Sequence, residues 1–435
     1  MLPPGPLTIP PLHRELAWTW PVPGSKSLTN RALPLAALAS GTSRLTRVLH
    51  SDDTGHMRQC LQQWGIGFAD DDAQTLTVHG GRERLHASAT PLEVGNSGTT
   101  VRFCSALAAL VPGHSELCGD ADMARRPIAH LVSALQDLGV RVDCPSGCPP
   151  LTVQGTGSLR GSVTIPGHLS SQYASALLLA GAGDEEGIEI SIAGDLVSKP
   201  YVAMTCAMIR AFGGEADGAA GRWWARGPLQ PSTITIEPDA TAASYAFAAA
   251  VSGQGSVTVP HLGRESIQGD LAFVDILEAM GAQVERGKTR TTVAAGNGLR
   301  GIEVDMHHIS DTVMTLAAIA PLASGPTTIR NIANIKVKET DRLAATVNEL
   351  QRLGQDVTYG EDWIRITPAR IVPATIECYR DHRMAMSFAI LGLARSGISI
   401  ADPACVAKTY PSFWTHLTQL YHDHGQECPW ANCAS

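Results

Sequence analysis

The chain has 435 residues, of which 44% are hydrophobic and 17% are charged, and its formal net charge is -8. Single hydrophobic cores stop growing at roughly 250–300 residues, so we expect two domains. The negative charge excludes a general basic surface for nucleic acid or anionic membrane, and the sequence contains no apolar run of the roughly 18 residues that a membrane span needs.

Cysteine usage and short motifs exclude further classes of protein. The ten cysteines are scattered and form no C-x-x-C pair, and the Pro-rich start lacks the pattern of a signal or transit peptide. We therefore expect free thiols in a reducing cytosol. The sequence also lacks a Walker loop, a G-x-G-x-x-G motif and a metal-binding spacing of His and Cys, so we predict no metal and no cofactor.

Six predicted amphipathic helices each end in a glycine, and these glycines recur every 68 to 74 residues. They are Gly65, Gly139, Gly213, Gly281, Gly354 and Gly425. Glycine is typical of a helix C-terminus, because it adopts a positive φ without a Cβ clash. The spacing predicts a repeat of about 72 residues.

A second helix in each repeat is strongly apolar. These helices are predicted to begin near Lys26, Asn96, Ser170, Asp239, Asp311 and Asp381. A helix that is apolar nearly all round is buried, and short strand-like runs lie between the helices. The sequence therefore predicts an inside-out α/β barrel fold in two domains, with buried helices, outer sheets and three repeats per domain. We expect domains at 23–239 and at 1–22 with 240–435, with a crossover near Pro238.

Cations stand where the helices of these repeats are predicted to begin. They are Lys26, Arg126, Lys338 and Lys408. A cation at the positive end of a helix costs energy, whereas an anion is stabilised there. Four such cations therefore predict that small anions bind between them and the helix starts.

Carboxylates stand among these cations. Asp311, Glu339 and Asp381 fit either general bases or simple helix caps. Arg342 follows Glu339 by three residues, a spacing that allows a structural ion pair.

Eight segments carry a resemblance to a known family: Pro23–Ser27 with Asn30 and Arg31, Gly95 and Asn96 with Gly98 and Thr99, Arg126–Ile128, Ser170–Gln172, Ser198–Tyr201, Val337–Arg342, Asp381–Met386 and Ala407–Thr409. Together they resemble the 5-enolpyruvylshikimate-3-phosphate synthases, also called 3-phosphoshikimate 1-carboxyvinyltransferases. The resemblance implies two domains of three repeats that close over the substrates. It also implies transfer of the enolpyruvyl group of phosphoenolpyruvate to the 5-hydroxyl of shikimate 3-phosphate, with release of phosphate.

The same resemblance implies a place in chorismate and aromatic amino acid biosynthesis. It implies a cytoplasmic monomer that acts on small molecules, with no nucleic acid, membrane or cofactor, and that is a target of the herbicide glyphosate.

The resemblance assigns a role to each matching residue. Shikimate 3-phosphate would be bound by Lys26, Ser27, Arg31, Ser170, Ser171, Gln172, Ser198, Tyr201, Asp311, Asn334 and Lys338. Phosphoenolpyruvate would be bound by Lys26, Asn96, Gly98, Arg126, Gln172, Glu339, Arg342, Arg383 and Lys408. Asp311 would accept the 5-hydroxyl proton, Glu339 with Lys26 would protonate the methylene carbon, and His382 would assist.

Three alternative functions stay open at this point. A sister family transfers enolpyruvyl to UDP-N-acetylglucosamine, but it has Lys-Asn where this chain has Lys26 and Ser27, and it keeps a reactive Cys before its Arg-Pro. Cys118 lies near Arg126, but the flanking residues do not match, and we interpret it as an ordinary thiol. A paralogue with a related cyclic acceptor and a non-catalytic repeat scaffold are the other two.

Small departures from the family pattern occur after Asn96. Ser97 and Thr100 often read Ala in the family, and Phe103 often reads Pro. Gly98 leaves room for glyphosate and predicts sensitivity, whereas Phe103 puts its degree in doubt. The tail beyond Trp414, with Cys428 and Cys433, carries no prediction.

Overall fold

The computed structural model describes residues 5–13 and 15–430. The chain divides into two compact units. The central unit is the segment Gly24–Glu237, and the terminal unit consists of the described residues before Gly24 together with those from Pro238 onward. Throughout the described ranges, every helix is too short or too polar to span a membrane.

Twelve α-helices form in the described residues. They are α1 (Lys26–Leu38), α2 (Asp52–Gln63), α3 (Gly98–Leu107), α4 (Ala129–Asp137), α5 (Ser171–Gly181), α6 (Lys199–Ala211), α7 (Ala240–Ser252), α8 (Phe273–Ala279), α9 (Val313–Ile319), α10 (Arg342–Arg352), α11 (His382–Gly392) and α12 (Phe413–Asp423). The odd-numbered helices are buried along nearly their whole length, because their residues are apolar or small on every side. The even-numbered helices bury one face, as α10 does with Leu343, Val347 and Leu350.

The strands are short and outnumber the helices. They are β1 (Leu7–Ile9), β2 (Ala17–Thr19), β3 (Gly41–Thr46), β4 (Gly67–Asp72), β5 (Thr75–Gly80), β6 (Leu92–Glu93), β7 (Gly113–Cys118), β8 (Arg141–Asp143), β9 (Leu151–Gly155), β10 (Gly161–Pro166), β11 (Ile188–Ala193), β12 (Glu215–Ala219), β13 (Arg222–Arg226), β14 (Thr233–Thr235), β15 (Ser256–Pro260), β16 (Gln283–Arg286), β17 (Arg290–Ala294), β18 (Glu303–Asp305), β19 (Thr327–Arg330), β20 (Asp356–Tyr359), β21 (Ile364–Thr367), β22 (Ala374–Ile376) and β23 (Ile398–Ile400).

These strands form six sheets within the described residues, three in each unit. The central unit contains β14-β3-β5-β4, β6-β7-β9-β8 and β10-β11-β13-β12. The terminal unit contains β16-β17-β15-β2, β18-β19-β21-β20 and β1-β23-β22. Each four-stranded sheet combines one parallel pair with two antiparallel pairs. The predicted sixfold repeat and inside-out α/β architecture are confirmed.

The chain passes between the two units twice, at Pro23–Gly24 and at Glu237–Pro238, and each passage changes which strand completes a sheet. In four sheets the parallel strands flank a buried helix in sequence, as β10 and β11 flank α5. Where the chain crosses, β2 pairs instead with β15 after α7, and β14 pairs with β3 after α1. The N-terminal segment therefore completes a sheet of the terminal unit.

The six glycines of the repeat take the conformation that their position predicts. Each lies two residues after the last residue of an even-numbered helix, directly after the C-cap residue, and has a positive φ, from 67° at Gly425 to 111° at Gly281. Leu353, the last residue before Gly354, still donates its N–H to Glu349 in α10. A helix ends there because glycine reverses the chain at no Cβ cost.

Candidate active site

The polar starts of the buried helices gather at one end of the central unit. Lys26 is the first residue of α1, and its Nζ lies 3.3 Å from Oδ2 of Asp53 in α2. Gln172 in the first turn of α5 donates from Nε2 to Thr99 Oγ1 in the first turn of α3, at 3.3 Å. These contacts join the N-terminal ends of α1 and α2 and those of α3 and α5, and such ends attract anions.

Arg31 lies in the second turn of α1 and is 2% exposed. Its guanidinium donates to Thr205 Oγ1 at 2.8 Å, to the Ser27 carbonyl at 2.9 Å, and to Ser175 Oγ and the Tyr201 carbonyl. These partners are neutral oxygens, and burial lowers the pKa of Arg31 to about 10. The arginine that the resemblance assigns to a substrate carboxylate is thus held by α5 and α6.

Aromatic rings complete the surroundings of this arginine. The guanidinium carbon of Arg31 lies 5.3 Å from the ring centroid of Phe103 and 5.8 Å from that of Tyr201. Phe103, one of the departures from the family pattern, is fully buried. It therefore contacts a predicted binding residue through a cation–π interaction and lies away from solvent.

Arg102 of α3 is a site residue that sequence reasoning missed. Its Nη1 donates to Gln172 Oε1 at 2.8 Å and to the Gly98 carbonyl at 3.2 Å, and its Nη2 donates to the Pro127 carbonyl at 3.4 Å. It thereby links two predicted binding residues to the loop before α4. A charged residue within an otherwise apolar buried helix was the signal that could have found it.

Arg126 sits beside the start of α3 and is 6% exposed. Its Nη1 donates to the carbonyl and to Oδ1 of Asn96, at 3.2 and 3.1 Å. A Cβ built on Gly98 would lie 2.5 Å from Arg126 Nη2 and 2.6 Å from Arg102 Nη1. Only glycine at this position lets both arginines come this close.

The hydroxyl-bearing candidates lie at the starts of α5 and α6. Ser170 caps α5 and accepts from the Gln172 N–H at 3.2 Å, and Ser171 is the first helical residue. Ser198 precedes α6 in a left-handed conformation with φ of 49°. A serine held in this unusual conformation has a constrained backbone, a feature that often marks functional positions.

Arg342 is the hub of the cluster in the terminal unit. It is the first residue of α10 and is 1% exposed, and its guanidinium contacts three carboxylates. Nε donates to Asp381 Oδ2 at 2.7 Å, Nη2 to Glu339 Oε2 at 2.7 Å, and Nη1 to Asp311 Oδ1 at 3.2 Å. Burial acts to lower the pKa of Arg342, but Asp381, Glu339 and Asp311 outweigh burial and raise it. The predicted pair of Glu339 with Arg342 is confirmed.

Asp311 is surrounded by three cations. Besides Arg342, its carboxylate lies 2.8 Å from Arg383 Nη2 and 3.5 Å from Lys338 Nζ. Asp311 itself lies in the short 3₁₀-helix Ser310–Thr312, which leads into α9. The Asp311 carboxylate is therefore held by cations at the starts of α10 and α11 and by Lys338.

The remaining candidates border this network. Lys408 Nζ lies 3.9 Å from Glu339 Oε1, and Asn334 donates to Ser310 Oγ at 2.8 Å. His382 is the first residue of α11 and is fully buried. All terminal-unit residues that the resemblance assigned to substrates or catalysis therefore lie at the starts of α9, α10 and α11 or in the segments that lead into these helices or into α12.

The expectation that four cations stand at helix starts is correct for Lys26 alone. Arg126 precedes α4 by three residues, Lys338 follows the 3₁₀-helix Ala333–Val337, and Lys408 ends the 3₁₀-helix Pro403–Lys408. Likewise Asp311 is not the N-cap of an α-helix, whereas Asp381 caps α11. These residues lie in or next to short 3₁₀-helices that precede the α-helices. A 3₁₀-helix of a few residues is too short to leave a periodic pattern of apolar residues in the sequence, so the sequence did not predict it.

The described thiols have the character of ordinary cysteines. All nine described cysteines are free, as predicted, and Cys433 lies outside the described residues. Burial, with help from Glu93, raises the pKa of Cys118 to about 11. A thiol with a raised pKa is a poor nucleophile.

No group of three or more His, Cys, Asp or Glu side chains in the described ranges could hold a metal ion.

The chain forms two units of three repeats, and each unit contains a cluster of cations. This arrangement defines an enzyme fold suited to anionic small molecules. The profile of EPSP synthase (3-phosphoshikimate 1-carboxyvinyltransferase) matches residues 14–417, and the chain belongs to this family.

Individual relatives agree with this assignment. The chain is 43% identical to the 3-phosphoshikimate 1-carboxyvinyltransferase of Pasteurella multocida (strain Pm70), over 92% of this chain and 94% of that protein. It is 43% identical to the enzyme of the same name from Mannheimia succiniciproducens, over 95% and 99%. The solved EPSP synthase from Acinetobacter baumannii covers 97% of this chain with a TM-score of 0.80, at 27% identity, and 99% of that chain is matched.

Proposed function

We propose that the protein transfers the enolpyruvyl group of phosphoenolpyruvate to the 5-hydroxyl of shikimate 3-phosphate and releases phosphate. The observation that carries the proposal is the Arg342 network, in which Asp311 and Glu339 contact one buried guanidinium at 3.2 and 2.7 Å. A base and an acid are thus held close together among cations. Family membership supports the same reaction.

The chemistry requires one proton acceptor and one proton donor. Asp311 takes the proton of the 5-hydroxyl as the hydroxyl oxygen bonds to C2 of phosphoenolpyruvate. Glu339, with help from Lys26, delivers a proton to the methylene carbon. Loss of phosphate from C2 and of a proton from the new methyl group then restores the double bond. His382, buried beside Asp381, assists by supporting the start of α11.

Both substrates are multiply charged anions, so binding needs a surplus of cations. We assign Asn96, Gly98, Arg126, Glu339, Arg342, Arg383 and Lys408 to phosphoenolpyruvate, and Ser27, Arg31, Ser170, Ser171, Ser198, Tyr201, Asp311, Asn334 and Lys338 to shikimate 3-phosphate. Lys26 and Gln172 are assigned to both. Because one reaction consumes both substrates, the proposal requires both residue clusters to take part in it.

The setting of the reaction is also part of the proposal. We infer that the protein acts in the cytoplasm as a monomer on small molecules, without nucleic acid or membrane. The net charge of -8 supports the absence of nucleic acid and membrane partners, and the free thiols of the nine described cysteines support a reducing compartment.

The decisive test is phosphate release from phosphoenolpyruvate with shikimate 3-phosphate as acceptor, compared with UDP-N-acetylglucosamine. The first acceptor should support turnover and the second should not. Asp311→Asn should lower kcat by about 10²–10⁴-fold, the usual range for removal of a general base. Asp356→Asn, the same change on an exposed residue of β20, should leave kcat unchanged. Failure of the wild-type protein to release phosphate with either acceptor would favour a non-catalytic scaffold.

A further inference from the structure

A buried carboxylate in the terminal unit has no role in the reaction described above. Glu349 lies near the end of α10 and is fully buried. Its Oε1 accepts from the Tyr379 hydroxyl at 2.7 Å, and its Oε2 accepts from the Glu377 N–H and from Arg352 Nε, both at 3.0 Å. Acidic side chains are almost never fully buried unless they are hydrogen-bonded in this way. The buried position of Glu349 therefore depends on these three partners.

The segment that Glu349 holds is conformationally unusual. Tyr379 and Arg380 have φ of 54° and 56°, both in the left-handed region that favours glycine. The Asp381 N–H closes the turn by donating to the Cys378 carbonyl at 2.8 Å. Two consecutive non-glycine residues in this region persist only when their surroundings hold them there.

The turn determines where Asp381 lies. Asp381 caps α11 by accepting from the Arg383 N–H at 2.9 Å, and it binds Arg342 through both carboxylate oxygens at 2.7 and 3.3 Å. Arg342 and Glu349 are seven residues apart on α10, which places them on one face of that helix. Helix α10 therefore grips residues 377–381 at two points, one at each end of the segment.

We propose that Glu349 is a positioning residue that, through the Tyr379 hydroxyl, orients Asp381 and hence the phosphoenolpyruvate-binding residues Arg342 and Arg383; this rests on the function proposed above. Glu349 touches no substrate. It acts by keeping a strained turn in the one conformation that presents the Asp381 carboxylate to the Arg342 guanidinium and to the Arg383 backbone N–H.

The test is Tyr379→Phe, which removes only the hydroxyl that Glu349 accepts. Because Tyr379 is 36% exposed, the fold should tolerate the change. We expect KM for phosphoenolpyruvate to rise by about tenfold, the effect of losing one hydrogen bond to a charged group. KM for shikimate 3-phosphate should stay within about twofold of wild type, because the hydroxyl acts on the phosphoenolpyruvate-binding residues alone. Tyr359→Phe, the same substitution on an exposed tyrosine of β20, is the matched control and should change neither KM.

A second pair of variants separates positioning from packing. Glu349→Gln keeps an oxygen for the Glu377 N–H and a polar partner for Tyr379, so it should retain a KM near wild type. Glu349→Ala should reproduce or exceed the effect of Tyr379→Phe. Hydrogen exchange of the Arg383 amide gives a readout independent of activity and should accelerate about tenfold in Tyr379→Phe, matching the lost hydrogen bond.

The outcomes divide cleanly. Equal changes in both KM values, or an unchanged Arg383 amide together with an unchanged KM for phosphoenolpyruvate, would overturn the positioning role. A wild-type protein without turnover would overturn the proposed function instead, and the exchange rate of the Arg383 amide would then decide the positioning role alone.

Discussion

The residue clusters of the two units differ in how their cations are partnered. In the central unit, Lys26 lies beside the Asp53 carboxylate, and the buried Arg31 donates to hydroxyl and carbonyl oxygens. In the terminal unit, Lys338, Arg342, Arg383 and Lys408 accompany three carboxylates. Arg31 therefore has neutral oxygen partners, whereas Arg342 contacts three carboxylates.

Under the proposed function, this difference suggests that one cluster mainly binds substrate anions and the other mainly transfers protons. A guanidinium with neutral oxygen partners, such as that of Arg31, is suited to binding a substrate phosphate or carboxylate. A cluster with interleaved acids and bases is suited to proton transfer, because it holds donors and acceptors in fixed geometry. Variants in each cluster should therefore fail in different ways.

The largest effect is expected at Arg342, where one guanidinium contacts three carboxylates. Arg342→Lys keeps the charge but provides a single ammonium that cannot reach all three. We expect kcat/KM to fall by about 10³-fold, a loss of roughly 4 kcal/mol in transition-state stabilisation. Arg330→Lys, at an exposed pair with Glu303, is the control and should be neutral. Comparable activity of Arg342→Lys and wild type would remove the distinction between the clusters.

The next effect concerns His416, a partly buried histidine of α12. Burial lowers the pKa of His416 to about 4, and its Nδ1 lies 2.8 Å from the Tyr410 hydroxyl. The unfolded chain binds a proton on this residue below its ordinary pKa of 6.5, whereas the folded chain does not, so stability falls as pH drops from 6.5 towards 4. Between pH 7 and pH 5 the loss should be about 2 kcal/mol.

Urea unfolding at pH 7 and pH 5 measures how much of the free energy of unfolding depends on the protonation of His416. His416→Asn keeps an acceptor for Tyr410 but does not titrate, so the pH-dependent loss should shrink by about 2 kcal/mol in this variant. An unchanged pH dependence would show that burial does not control this histidine.

A smaller effect is expected in the central cluster, at Gly98. The added methyl of Gly98→Ala displaces the ends of Arg126 and Arg102, which lie 2.5 and 2.6 Å from the new Cβ. Inhibition by glyphosate should weaken by about 10–100-fold, the discrimination that one methyl group usually provides. Gly55→Ala, where the new Cβ meets nothing within 4 Å, is the control. Equal inhibition constants for the two variants would discredit the assignment of Gly98 to the pocket.

The smallest effect is expected at Cys118. Its raised pKa keeps it a thiol at neutral pH, so Cys118→Ser should retain turnover within about twofold of wild type. Loss of most of the activity would instead point to cysteine chemistry of the kind found in the sister family.

Local signals in the sequence predicted the repeat and its helix ends well. Gly139 and its counterparts end helices through their own backbone freedom, and the all-round apolar character of α5 predicts burial without knowledge of its neighbours. The same reasoning failed at Lys338 and Lys408, because 3₁₀ turns leave no periodic trace.

Long-range contacts were beyond sequence reasoning. Arg102 meets Gln172 and Arg342 meets Asp381, partners 70 and 39 residues away in the chain. The sixfold architecture, the family and the set of candidate residues follow from the sequence itself, since glycine caps, apolar helices and motifs are written in neighbouring residues. Tertiary packing decided which carboxylate faces which cation. It also decided that Arg31 contacts neutral oxygens whereas Arg342 contacts charged ones. The reason is physical: the charge state and reach of a buried side chain depend on the groups that folding places around it, not on its neighbours in sequence.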